Sequence, residues 1–212
     1  YLPSEFGKIL KYSSHITFNS IAQFKKFRGR VLKASEPVSM GIRVNPEWSP
    51  VETSLYNPAD PNSRLGQTVE NFKKGLPEGV EGLHFHVLCE SSSYDLETAL
   101  GHFEKKFGQF LPQLKWVNFG GGHLMTRKGY DIDHLISVLK AFKKRYPNLE
   151  VIMEPGSAIA WDCGVLVASV LDIIQNHGVK TAILDVSFTA HMPDTLEMPY
   201  RPRVRNASSE PI

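Results

Sequence analysis

The sequence predicts an α/β fold: a partial (β/α)8 TIM-type barrel that runs into the start of a C-terminal β domain. Three observations predict it. Short apolar segments alternate with amphipathic helical patterns along residues 1–160. Each apolar segment ends on residues suited to chemistry, and in a parallel barrel function collects at the C-terminal strand ends. Beyond residue 160 the alternation stops, and a polar, proline-rich stretch follows.

In chain order, residues 16–18 form the first strand and end on Asn19-Ser20, with a helix over 20–27. Residues 39–44 form the second strand, ending on Arg43-Val44-Asn45-Pro46. Residues 48–66 are rich in Pro and Asn and form a loop, and loops of that length are usually functional. A helix is expected over 68–75, a third strand over 82–88 with His84 and His86, and a helix over 95–110. The fourth strand, 116–119, runs into Gly120-Gly121-Gly122-His123. A helix over 131–145 follows, with acids in its first turn and Lys143-Lys144-Arg145 in its last, as the helix dipole favours. The fifth strand, 150–153, meets Glu154-Pro155-Gly156. Residues 161–212 are expected to hold a buried strand or helix over 165–174 and a strand over 182–188.

The bulk numbers exclude several classes. The chain has 212 residues, is 42% hydrophobic and 22% charged, and carries a net charge of +2. That balance fits a globular protein and not a polyanion-binding surface, so no nucleic-acid partner is expected. The longest apolar stretch is interrupted by Ser169 and Asp172, so no membrane span is expected. Two cysteines, Cys89 and Cys163, make no disulfide framework and point to a cytoplasmic setting. Residue 1 is Tyr, and the polar stretch 203–212 closes no element, so both ends read as cuts in a longer chain. An open barrel of this kind is expected to expose strand edges and apolar surface.

Each chemistry-bearing motif has a plainer alternative. His84 and His86, two apart on a strand, face one side. They are a core pair, a metal pair, or an imidazole stacked on a flat cofactor, and no HxxxH partner supports a metal site. Gly120-Gly121-Gly122 is a simple turn or a close approach to a phosphate. It is not GxGxxG, so a single phosphate fits better than a dinucleotide. Glu154 is an ordinary strand-end acid or a carboxylate that holds a proton on a pyridine nitrogen. Asp185, Asp194 and Glu197 are solvated acids or a grip for a cationic substrate.

Taken in order, Arg43-Val44-Asn45-Pro46, Ser63-Arg64-Leu65-Gly66, His84-Phe85-His86, Gly120-Gly121-Gly122 and Glu154-Pro155-Gly156 resemble the fold type III pyridoxal-phosphate decarboxylases, which share an alanine-racemase-like barrel. Leu88-Cys89-Glu90-Ser91, residues 185–194 and Leu196-Glu197-Met198-Pro199-Tyr200-Arg201-Pro202 are similar to the carboxynorspermidine (carboxyspermidine) decarboxylases within that group. The resemblance covers essentially the whole chain. It implies pyridoxal 5'-phosphate as cofactor and decarboxylation of a carboxylated polyamine to norspermidine or spermidine. It implies that His86 stacks on the ring, that Gly120, Gly121, Gly122 and Gly156 hold the phosphate, and that Glu154 pairs with the ring nitrogen. Ser157 stands where many relatives have Arg. Asp185, Asp194, Glu197 and Glu154 would contact substrate, and Cys89 would lie near the cofactor or pack as a buried thiol. The Schiff-base lysine and a late cysteine-bearing loop would lie outside residues 1–212, the latter completing the site across a homodimer interface. Diaminopimelate or ornithine decarboxylation, a metal-dependent barrel hydrolase and a non-catalytic cofactor carrier are the alternatives.

Overall fold

The structure is a computed structural model that describes residues 1–52, 56–197 and 200–207. It divides into two units, Tyr1–Trp161 and Asp162–Ile212.

In the first unit five strands form one parallel sheet in sequence order. They are β1 His15–Phe18, β2 Ser39–Arg43, β3 Gly82–His84, β4 Trp116–Asn118 and β5 Glu150–Ile152. Register sorts their side chains into two faces. Phe18, Ile42, Leu83 and Val117 align across the sheet and are buried in the core. Phe85 and Phe119 extend that face beyond the strand ends, against Phe103 and Phe142 at ring distances of 4.6 and 5.1 Å. The opposite face carries the aligned row Thr17, Gly41, Gly82, Trp116 and, one step along, Arg43, His84, Asn118. This is the barrel-interior face, and its polar row leads to the strand ends.

The helices begin where side chains satisfy their first N–H groups. In α2 (Ile21–Val31) Ser20 accepts from the Gln23 N–H. In α3 (Ser93–Phe107) Ser92 and Asp95 form a capping box. In α4 (Ile132–Arg145) Asp131 accepts from the His134 N–H, and three cations close its last turn.

In the first unit two sequence expectations are corrected and two short helices were not foreseen. A first helix, α1 (Phe6–Lys11), was not expected: it is six residues long, its N-cap Glu5 makes no side-chain bond, and it buries only Phe6, so it leaves no periodic signal. The expected helix at 68–75 is a single 3-10 turn, Val69–Phe72. β3 ends at His84, two residues before His86, although Phe85 still donates to the Asn118 carbonyl at 3.0 Å. In α5 (Gly156–Ala160) the chain after Glu154 coils into one short helix before the second unit.

The second unit is a hairpin of β6 (Val170–Asn176) and β7 (Val179–Leu184), followed by the short helices α6 (Phe188–His191) and α7 (Asp194–Glu197). His177 and Gly178, with φ of 49° and 82°, make the tight turn that antiparallel twist favours. Both strands are exposed along their length, so the buried element expected at 165–174 is instead an exposed strand that starts at Val170. Phe188 opens α6 and does not close a strand. The unit's aliphatic faces are uncovered within the described residues, among them Val170, Ile173, Val179 and Ile183. Met198 and Pro199 of the late motif, part of the 48–66 loop (53–55) and residues 208–212 lie outside the described residues.

Candidate active site

The site is built at the C-terminal ends of β2 to β5. Arg43, His84 and Asn118 occupy one register across three strands. His86, Gly120 and Glu154 follow two residues further along β3, β4 and β5, and so fall on the same face.

Three hydrogen bonds tie Asn118, Gly120 and Glu154 together. The Asn118 amide donates to Glu154 Oε1 at 2.7 Å, and its own oxygen accepts from the Gly120 N–H at 2.8 Å. The Glu154 N–H donates to the Gly120 carbonyl at 2.9 Å. Glu154 Oε2 is 3.8 Å from His84 Nε2, and the side chain is about half-exposed, at 53%. The carboxylate is therefore fixed at one oxygen and open at the other. It lines a cavity of about 350 Å3 with Tyr1, His15, Thr17, Trp116 and Asn118.

The surroundings of both imidazoles disfavour a positive charge on them. Burial pushes His84 down to about 3, assisted by the Arg43 guanidinium and by His86. Burial also lowers His86, with Arg43 acting the same way and Glu154 opposing it. The Gly121 N–H donates to His86 Nδ1 at 3.1 Å, so that nitrogen is an acceptor. Arg43 is itself lowered by burial and supported by Glu154, and its Nη2 reaches the His86 carbonyl at 3.4 Å.

The glycines are required by contact. A Cβ on Gly120 (φ 70°) would lie 2.6 Å from the Phe85 carbonyl, and one on Gly122 (φ 87°) 2.1 Å from the Leu88 carbonyl. On Gly121 it would lie 2.6 Å from the Glu154 carbonyl. The turn thus packs backbone to backbone against both neighbouring strand ends. Two of its N–H groups, of Gly120 and Gly121, are committed to Asn118 and His86. Any part these two glycines take in holding a phosphate is close approach, not N–H donation.

His84, His86 and Glu154 each offer a ligand-type atom within 4.8 Å of the others, a third member the sequence reading did not find. The adjacent Arg43 guanidinium opposes a second cation there.

No family model matches the chain. It is 51% identical over 207 residues to the carboxyaminopropylagmatine decarboxylase of Synechocystis sp., covering 98% of this chain and 53% of that protein. It is 49% identical over 203 residues to the carboxynorspermidine/carboxyspermidine decarboxylase of Campylobacter jejuni, covering 96% of this chain and 52% of that protein. The carboxynorspermidine decarboxylase of Campylobacter jejuni, solved in complex with norspermidine, superposes with a TM-score of 0.84 at 46% identity, covering 97% of this chain and 52% of that one. The chain is a homologue of the carboxynorspermidine/carboxyspermidine decarboxylases. It spans about half the length of the curated relatives it matches. Its fold is that of the alanine-racemase-like barrel decarboxylases.

In this decarboxylase homologue the structure gathers His86, Gly120, Gly121 and Glu154 into one site, with Gly122 completing the turn. Gly156 and Ser157 open α5 directly after the acid, and the Gly156 N–H donates to the Glu154 carbonyl at 2.9 Å. Cys89 is exposed, which removes the reading of it as a buried packing thiol; partial desolvation by its neighbours and the charge of Glu90 raise its pKa. Asp185, Asp194 and Glu197 belong to the second unit. Asp185 closes the open end of the hairpin: its carboxylate accepts from the Ser169 N–H at 2.8 Å, and its own N–H donates to the Ser169 carbonyl at 3.2 Å. Asp194 and Glu197 bound α7 and are exposed.

Sequence reading missed Asn118 and assigned no role to Arg43. Both were findable, because period two from Gly120 and from Asn45 puts them on the interior face. His123, named at the end of the fourth strand but given no role, is fully buried, and neither ring nitrogen has a hydrogen-bond partner among the described residues.

Proposed function

We propose that this chain forms the ring-binding part of the active site of a pyridoxal-phosphate-dependent decarboxylase acting on a carboxylated polyamine. The observation that carries the proposal is the Glu154 carboxylate, oriented by Asn118 and open at Oε2, beside His86 at the ends of parallel strands.

These residues fit pyridoxal phosphate. Glu154 supplies an acceptor for a protonated ring nitrogen, and His86 offers an imidazole held by Gly121 against rotation. Gly122, Gly156 and Ser157 stand at the two turns nearest to Glu154, where a phosphate would be held. When bound, the cofactor supplies an electron sink for the pair left at Cα as CO2 departs. Asn118 fixes the carboxylate, and Glu154 Oε2 holds the proton at the ring nitrogen. His86 in its uncharged form packs without placing a second positive charge near that proton. Buried Arg43 supplies positive charge beside both His86 and Glu154.

The substrate class rests on the relatives. One is named for carboxynorspermidine and carboxyspermidine, another for carboxyaminopropylagmatine, and a neighbouring structure holds norspermidine. All three names describe a long cationic chain, and Asp194 and Glu197 are the acids assigned to grip it. A cytoplasmic homodimer with the active site at its interface completes the proposal. The free thiols of Cys89 and Cys163 fit the reducing setting.

The test is CO2 release by the intact protein loaded with pyridoxal phosphate. Carboxynorspermidine, carboxyspermidine, carboxyaminopropylagmatine, diaminopimelate and ornithine are offered in parallel. Turnover confined to the first three supports the proposal. Turnover of diaminopimelate or ornithine instead keeps the cofactor and removes the role of Asp194 and Glu197. Glu154→Gln should lower kcat by about a hundredfold or more.

A further inference from the structure

We infer that Asn118 is a positioning residue that locks the Glu154 carboxylate to the glycine turn, so that the acid facing the cofactor ring and the backbone beside it are set by one amide. The inference rests on the proposed function and adds to it a residue acting through Glu154.

The geometry is a closed ring of three hydrogen bonds. Gly120 donates its N–H to Asn118 and accepts at its carbonyl from the Glu154 N–H. Asn118 returns to the Glu154 side chain. The two ends of the Asn118 amide are assigned by their partners, since only the oxygen can accept from an N–H and only the nitrogen can donate to a carboxylate. Asn118 itself is 6% exposed, so neither bond is exchanged readily for water. Without it, Glu154 is a half-exposed side chain with free rotamers at the mouth of a cavity. Held at Oε1, it presents Oε2 in one direction, the kind of pre-organisation that favours a fixed charge over a mobile one.

The amide serves the carboxylate and the glycine turn at the same time. Asp keeps the acceptor for Gly120 but sets a second carboxyl group beside Glu154, and two such groups share a proton. Ala and Ser release the carboxylate, and Gln is one methylene too long for the same strand register. The two functions of the amide can therefore be separated by substitution.

The experiment uses the intact holoprotein with Asn118→Asp, Asn118→Ala and Asn118→Ser, read by the 15N shift of cofactor labelled at the pyridine nitrogen, by the Kd for pyridoxal phosphate, and by kcat and KM. In Asn118→Asp the Kd is expected within about threefold of wild type, since the turn keeps its acceptor. The ring-nitrogen signal should move to the unprotonated position, and kcat should fall about a hundredfold with KM little changed. In Asn118→Ala and Asn118→Ser the ring signal should also move. In Asn118→Ala, which also lacks the turn acceptor, the Kd should weaken by about tenfold, the scale of one lost buried hydrogen bond. A ring nitrogen that stays protonated in any folded variant overturns the inference while leaving the proposed function intact. A wild-type protein that binds no pyridoxal phosphate overturns both.

Discussion

The Gly121 N–H meets His86 Nδ1 at 3.1 Å, and this single contact fixes which imidazole nitrogen carries the proton. A backbone N–H can only donate, so Nδ1 is the bare nitrogen and the ring proton sits on Nε2. Burial and Arg43 both disfavour a second proton, and Glu154 opposes them only in part. His86 is therefore expected to be less protonated at pH 6.5 than an ordinary imidazole, with the proton of its neutral form on Nε2. Nitrogen NMR of 15N-histidine-labelled protein, with His86→Gln to assign the signal, reads this directly. A proton on Nδ1 of the neutral ring would show that the Gly121 contact does not hold.

Two buried histidines make stability fall on acidification. His84 is held down to about 3 and His123 to about 4, both chiefly by burial. Their folded values lie below the unfolded 6.5, so below that pH the unfolded chain binds protons the folded one refuses. Stability is complete above pH 6.5 and is lost as pH falls from 6.5 towards 4, by roughly 1 kcal/mol per histidine per pH unit. His123→Gln should flatten the dependence of Tm on pH between 6.5 and 4.5, whatever it does to Tm at neutral pH. An unchanged slope would mean that His123 is protonated in the fold.

Much of this architecture was legible in the sequence, and the failures have physical causes. The five interior strands were found because Phe18, Ile42, Leu83, Val117 and Val151 form a buried or partly buried face, and their neighbours end in polar residues. His86, the glycine turn and Glu154 were found because strand ends concentrate chemistry. Period two from Gly120 places Asn118 on the interior face, but its role shows only when register sets it beside Glu154. The third member of the His84, His86 and Glu154 cluster was missed because it lies far along the chain and only parallel pairing brings it near. The 165–174 segment was misread because apolar composition was taken as burial, whereas β6 is exposed on its hairpin. The tight turn after β6 was hidden by His177, a residue that seldom takes the positive φ it adopts there.

The glycine turn should tolerate no side chain at its third position. Gly122 has a φ of 87°, and its Cβ would meet the Leu88 carbonyl at 2.1 Å and the Cys89 nitrogen at 2.9 Å. Both obstacles are backbone, so no rotamer relieves them. The backbone conformation alone costs about 1–2 kcal/mol for an alanine, and the overlap adds to it. Gly122→Ala is expected to lose pyridoxal phosphate binding and several degrees of Tm. Gly129→Ala, also at positive φ (85°) but with nothing within 4 Å, should show the conformational part alone. Equal losses in the two variants would mean that the contact with Leu88 contributes nothing.

The floor of the interior is a single indole, and it should couple energetically to a glycine on the next strand. Trp116 lies against β2 and β3 so closely that a Cβ on Gly82 would fall 2.0 Å from its ring, and one on Gly41 would fall 2.2 Å from it. Its Nε1 donates to Ser39 Oγ at 2.7 Å, and Ser39 in turn donates to Glu81 at 2.6 Å, so the ring cannot swing aside without breaking this chain. Overpacking of this kind typically costs about 1–3 kcal/mol, and here the ring is both buried and hydrogen-bonded. Trp116→Leu should itself destabilise, because it leaves a cavity beneath the Asn118 and Glu154 row and frees Ser39. In that background, however, Gly82→Ala finds open space. Denaturant unfolding of the wild type, the two single variants and the double variant gives the coupling. Gly82→Ala is expected to cost at least about 1 kcal/mol more beside Trp116 than beside leucine. Additive losses would show that the indole moves away when Gly82 is filled, and that the floor is not held by its bond to Ser39.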